Sequence, residues 1–155
     1  MLRAKHVLLA SHGTQGARAA ERLALSLCGP RGCLHHLIVV PDFWKGMMGD
    51  DWLNNAATRE IYGNYVESQL ENEVRANIRR LRKLAARRKI RYDFTMVQGK
   101  PTECLAARAA KGPVDIVVLG SPRPRGKAGY RSGIELDKLV RRVRKPILIA
   151  PYPII

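Results

Sequence analysis

Short apolar runs alternate along this chain with longer stretches in which apolar residues recur every three or four positions. The first pattern suits buried strands and the second amphipathic helices. His6 to Ala10 is a strand by this criterion, stopped at His12 and Gly13. A helix follows, with Thr14 placed to cap it and Ala17, Ala20, Leu23, Ala24, Leu27 and Cys28 at helical spacing. Gly29, Pro30 and Gly32 break that helix, and Leu34 to Val40 is a second strand ended by Pro41.

Asp42 to Asn64 has neither periodicity and is expected to be a long loop with room for one short helix, its Trp44, Met47, Met48 and Trp52 capping the core beneath it, the alternative being a pocket mouth or partner surface. From Val66 the helical pattern returns. Leu70, Val74, Ile78, Leu81 and Leu84 form one stripe, with Arg75, Arg79, Arg82 and Lys83 off it, and the helix ends near Lys89. Tyr92 to Val97 is a third strand. Gly99 and Pro101 mark a turn, Thr102 is expected to cap a helix through Ala110, and Gly112 and Pro113 end it. Val114 to Leu119 is the fourth strand, Gly120 to Ser132 a loop rich in glycine, proline and arginine, Gly133 to Val143 the last helix, and Ile147 to Ala150 the fifth strand.

Strands and helices in strict alternation predict an α/β fold with a parallel sheet and right-handed crossovers. The 155 residues form a single domain, 1–155. Ligands of such sheets lie beyond the carboxyl ends of the strands, near a topological switch point. That rule selects the loops after strands one, two and four.

Charge changes the picture. Lys plus Arg number 28 against 13 Asp plus Glu, a formal +15. Such a surface attracts anions, whether nucleotide, polyphosphate, acidic lipid or nucleic acid. The basic residues concentrate from Arg75 to Arg91 and from Arg123 to Lys145. With few aromatics for stacking and no base-reading motif, nucleic-acid binding is expected to be weak, sequence-independent and salt-sensitive. It requires both clusters on one face. No apolar run approaches membrane length, and three sparse cysteines suit a reducing compartment, so a cytoplasmic protein is expected. Cys28, Cys33, His35 and His36 are metal-capable, but His35 and His36 point to opposite faces of a strand, so no metal site is expected there.

The residues also resemble a known family. Val117, Val118, Leu119 and Gly120 end a strand, Gly133 stands at the end of a loop, Asp137 to Arg141 continue as a helix, and Pro146 to Ile149 follow as a last strand. Gly99, Lys100 and Pro101, the strand Leu34 to Pro41, and Gly13 with Thr14 add to the pattern. Together they resemble the universal stress protein family over nearly the whole chain apart from the loop 42–65. The resemblance implies a five-stranded parallel sheet of order 3-2-1-4-5 with helices on both faces, Rossmann-like and similar to adenine-nucleotide alpha hydrolases. It also implies a homodimer paired through the C-terminal strand.

By the same resemblance, a nucleotide or anion site would draw on His12, Gly13 and Thr14, on Val39, and on Gly120, Arg123, Arg125, Lys127 and Gly133. The chain departs from the family there. Nucleotide-binding members carry an Asp where His12 stands, Arg123 replaces the second loop glycine, and Ile134 replaces a hydroxyl residue. Pro122 and Pro124 remove two further amide donors. The expected function is a stress-response accessory protein without catalysis of its own, binding ATP or another nucleotide or polyphosphate weakly. Two alternatives remain open at this point. One is a small enzyme using His12: Ser-His-Gly-Thr after a strand also resembles tetrapyrrole metal chelatases, and slow nucleotide hydrolysis is the other chemistry. The second is a basic nucleic-acid-associated protein.

Overall fold

The computed structural model describes residues 3–11, 15–40, 72, 74–121 and 134–151. The elements are β1 (Ala4–Ala10), α1 (Gln15–Leu27), β2 (Cys28–Val40), α2 (74–87), β3 (Arg91–Gln98), α3 (Pro101–Ala109), β4 (Ile116–Gly120), α4 (Leu136–Arg142) and β5 (Ile147–Ala150). The five strands pair in the order β3-β2-β1-β4-β5, every pair parallel. The expected topology is therefore the observed one.

Both sets of alternate residues on the central strands are apolar, so the sheet must be covered on both sides. Val7, Leu9, Leu34 and Val118 pack with Ala20, Ala24, Leu81 and Ala85, which places α1 and α2 on one face. Leu8, Leu37, Val117 and Leu119 pack with Leu105, Ala109 and Leu139, which places α3 and α4 on the other. The stripe read for α2 is the buried one: Val74, Ile78 and Leu81 are inside, with Arg75, Arg79, Arg82 and Lys83 exposed.

The end of α2 shows how local chemistry sets an element boundary. Lys89 adopts φ 59°, the Ile90 amide donates to the Ala85 carbonyl at 3.0 Å, and the Lys89 amide donates to Ala86 at 3.1 Å. These two bonds and one left-handed residue make a Schellman ending, with buried Ile90 as its apolar anchor.

Several boundaries differ from the sequence reading. β2 begins at Cys28, because Gly29, Pro30, Arg31 and Gly32 form an irregular step within the strand rather than a separate loop. Ala4 pairs with Cys28, yet His6 pairs with Cys33, and Arg31 sits at φ 68°. The Lys5 and His6 amides at this bulge donate to the Asp115 carboxylate at 3.1 and 2.8 Å. A Cβ on Gly32 would meet the Cys28 sulfur and the Gly29 carbonyl oxygen at 2.8 Å, so only glycine fits. Thr102 does not cap α3. Pro101 takes the first helical position, Lys100 is the cap residue, and Thr102 lies buried inside the helix. α4 begins at Leu136, later than the Gly133 expected, with Glu135 at its cap.

Candidate functional site

The sheet order reverses direction between β1 and β4. β2 and β3 lie on one side of β1, and β4 and β5 on the other. Ala10 is level with Leu119, so the carboxyl ends of β1 and β4 are adjacent and open the crevice where such sheets bind ligands. Gly120 pairs with Ala150, and the Ser121 amide donates to the Ala150 carbonyl at 2.9 Å. Val39 is a core residue packed among Leu8, Leu37 and Leu105. The other expected site residues, His12, Gly13, Thr14, Arg123, Arg125, Lys127 and Gly133, lie outside the described residues, as does the loop 42–65.

What the structure does describe is the anchoring of this crevice. Ser11, the residue at which β1 leaves the sheet, is buried. Its hydroxyl donates to Glu21 Oε1 at 2.5 Å, and Glu21 on α1 is only 1 % exposed. Arg80 of α2 places Nη2 2.6 Å from Glu21 Oε2. That contact is a charge pair without hydrogen-bond alignment, since Oε2 accepts no directed bond. Arg80 also donates to Asn77 one turn earlier, which fixes the guanidinium. The Ser11 carbonyl is held by His36 Nε2 at 3.0 Å, while His36 Nδ1 lies 2.7 Å from the Tyr92 hydroxyl. A carbonyl can only accept, so Nε2 carries the proton and Nδ1 accepts from tyrosine. Burial pushes the Tyr92 phenol well above its ordinary range, which keeps that donor protonated.

The start of α4 is tied to α3. The Glu135 amide donates to Thr102 Oγ1 at 2.8 Å. Ile134, which occupies the family's hydroxyl position, packs its side chain against the core instead.

The basic clusters divide. α2 lies on one face of the sheet and α4, with Arg141 and Arg142, on the other. Within α2, Arg82 sits over the Tyr92 and Phe94 rings at 6.0 and 5.9 Å, so part of its charge is engaged by the chain's own aromatic faces. The described parts of the two clusters do not form one continuous surface.

A second polar cluster lies on β2 and β3, level with His6 and Leu8 of β1. Cys33 and His35 of β2 share the face that α3 and α4 cover further along, and Asp93 of β3 is level with His35. His35 Nδ1 is 2.9 Å from Asp93 Oδ2 and 3.7 Å from the Cys33 sulfur, and Cys33 is 3.6 Å from Asp93 Oδ2. His6 of β1 reaches the other side of the His35 ring, Nδ1 to Nε2 at 3.2 Å. Burial, then the neighbouring Asp93 charge, raises the Cys33 thiol to about 11. Cys28 and His36, weighed with this pair from sequence, pack on the other face. Asp93 was the residue missed, because only the β2–β3 register reveals that it stands beside His35.

The sequence model of the universal stress protein family matches residues 3–151. No curated protein matches the chain. Among solved structures, the hypothetical protein MJ0577 superposes with a TM-score of 0.70 at 16 % identity, covering 97 % of this chain and 98 % of its own. Universal stress protein UspA from Lactobacillus plantarum gives 0.68 at 16 % identity, covering 97 % and 99 %. A universal stress protein solved in complex with cAMP gives 0.53 at 15 % identity over 97 % and 99 %. At these identities the structural likeness speaks for the fold.

Proposed function

The chain is a member of the universal stress protein family, and on that premise we propose that it is a cytoplasmic stress-response accessory protein that acts by binding rather than catalysis. Its ligand site is the crevice between the carboxyl ends of β1 and β4. The observation that carries this reading is the buried set Ser11, Glu21 and His36, backed by the half-buried Arg80, which holds Ser11 at the exit of β1 by both its hydroxyl and its carbonyl. A buried carboxylate and a buried imidazole committed to one strand end are costly unless that end must be held in place.

The ligand is an anion, with nucleotide recognition altered. A related fold carries cAMP, which supports a nucleotide-sized occupant. His12 offers at most one neutral-ring acceptor where nucleotide-binding members have a carboxylate. Arg123 brings a permanent charge and paired N–H donors to a glycine position. Adenine selectivity is thereby lost before anion affinity is. Calorimetric titration tests this: ATP, GTP and tripolyphosphate compete for one site with similar, weak affinity. Low-micromolar ATP binding with clear preference over GTP would refute it. Arg123→Gly separates the two roles of the arginine: strengthened ATP binding marks an obstruction, and abolished anion binding marks the grip.

The protein forms a two-fold dimer through β5. This strand is a sheet edge, and Ile149 is 38 % exposed on it. A bare apolar edge strand invites uncontrolled pairing unless a partner covers it.

A further inference from the structure

We propose that Cys33, His35 and Asp93 form a zinc-type divalent-metal site, with His6 as the partner that orients His35. The cluster stands on the neighbouring strands β2 and β3, level with His6 and Leu8 of β1 and short of the β1–β4 crevice.

The geometry carries the assignment. The three donor atoms form a triangle with edges of 3.7 Å (Cys33 Sγ to His35 Nδ1), 3.6 Å (Cys33 Sγ to Asp93 Oδ2) and 2.9 Å (His35 Nδ1 to Asp93 Oδ2). Tetrahedral zinc, with Zn–S of about 2.3 Å and Zn–N and Zn–O of about 2.0–2.2 Å, sets corresponding edges of about 3.6, 3.6 and 3.4 Å. Two edges therefore already match, and only the His35–Asp93 edge has to open, by about half an ångström relative to that ideal. These are the three residues among those described whose metal-capable atoms converge in this way.

The donor chemistry selects the ion. One thiolate, one imidazole and one carboxylate suit a borderline-soft ion such as zinc, and do not suit magnesium or calcium, which take oxygen. The thiolate and the carboxylate together balance a divalent charge, which matters in a chain as basic as this one. Cys33 and His35 are buried while the Asp93 side chain is 54 % exposed, so the site is closed from below and open outward. Three protein ligands then leave one outward position for water or an exogenous ligand.

His6 fits the outer role. A ligating histidine needs its second ring nitrogen held by a partner that fixes tautomer and orientation. With His35 Nδ1 on the metal, Nε2 carries the proton and donates to His6 Nδ1, already 3.2 Å away with the two rings nearly parallel. The Gly32 step supports the arrangement from the backbone, since it brings Cys33 level with His6. On binding, the ion displaces the Cys33 thiol proton while the single ring proton of His35 stays on the ring at Nε2, so uptake releases one proton.

The test uses the full chain, stripped with chelator and titrated with zinc against a chromophoric competitor. The expected result is one equivalent with Kd tighter than about 10 μM. Replacing zinc with cobalt(II) should give the strong visible bands of a tetrahedral ion and a thiolate-to-cobalt absorption. That absorption persists in Cys104→Ala and vanishes in Cys33→Ser. Asp93→Asn, at a half-exposed edge position that tolerates change, keeps its circular dichroism but loses affinity by about 100-fold or more; His6→Gln loses about 10-fold with the tetrahedral bands retained, as an outer partner should. Zinc binding weaker than about 10 μM, or unchanged by Asp93→Asn in the folded variant, would overturn the proposal.

Discussion

Replacing Arg80 with leucine removes the counter-charge of a carboxylate that water does not reach. Glu21 is 1 % exposed, and among the described residues its Oε2 meets the Arg80 guanidinium, whereas Oε1 keeps the Ser11 hydroxyl. Breaking a buried ion pair from one side costs about 3–5 kcal/mol when both partners are dry. Arg80 is about one-third exposed, so water enters from its side and the expected cost falls to about 2–3 kcal/mol. For a chain of this size that lowers Tm by about 5–10 °C. The pair Glu21→Leu with Arg80→Leu should cost less than Arg80→Leu alone, because no bare charge then remains. Urea unfolding of the four members of this cycle, at a common m-value, measures the coupling. An Arg80→Leu cost below about 0.5 kcal/mol, or a double variant equal to the sum of the singles, would refute the reading of Glu21 as a charge that depends on Arg80.

Three other substitutions probe separate features. Gly32→Ala forces a Cβ against backbone oxygens 2.8 and 3.0 Å away and should cost about 2–3 kcal/mol by thermal melting, while Gly29→Ala, with 3.9 Å of clearance, should cost under about 1. Tyr92→Phe removes the hydroxyl that donates to His36 Nδ1 and should cost about 1–2 kcal/mol. The same variant flattens the alkaline limb of stability: with its folded pKa raised, Tyr92 contributes fully below the unfolded value near pH 10 and loses that contribution as pH rises beyond it. Sedimentation at micromolar concentration should find a dimer that Ile149→Lys converts to monomer; a monomeric parent protein would contradict pairing through β5.

The fold was legible because its core strands are apolar on both faces and its helices carry clean stripes. Val74, Ile78 and Leu81 could be placed inward from spacing alone. Glu21 shows where that reading stopped. It lies four positions after Ala17 and three before Ala24, on the buried stripe of α1. The spacing was a usable signal, but a charged residue type argued for solvent and the compensating Arg80 arrives from another helix. Thr102 was misread as a cap because its hydroxyl follows a turn, although Pro101 had already claimed the first helical position. Cys33 and His35 could be assigned one face from sequence. The ion-sized triangle could not, since Asp93 joins it through a register that depends on how β3 docks.

The irregular step at Gly29 to Gly32 also acts as a parity counter for the strand that follows. His35 and His36 are adjacent, yet one serves the Asp93 cluster and the other holds the Ser11 carbonyl on the reverse side. Because residues alternate with period two, adding or deleting one residue in this step without a matching adjustment would exchange the two histidines. Each would then face the other's partners, disturbing both faces of the sheet at once. Length variants of this segment should therefore be tolerated in pairs of residues more readily than singly, a pattern that a small insertion series read by thermal melting would expose.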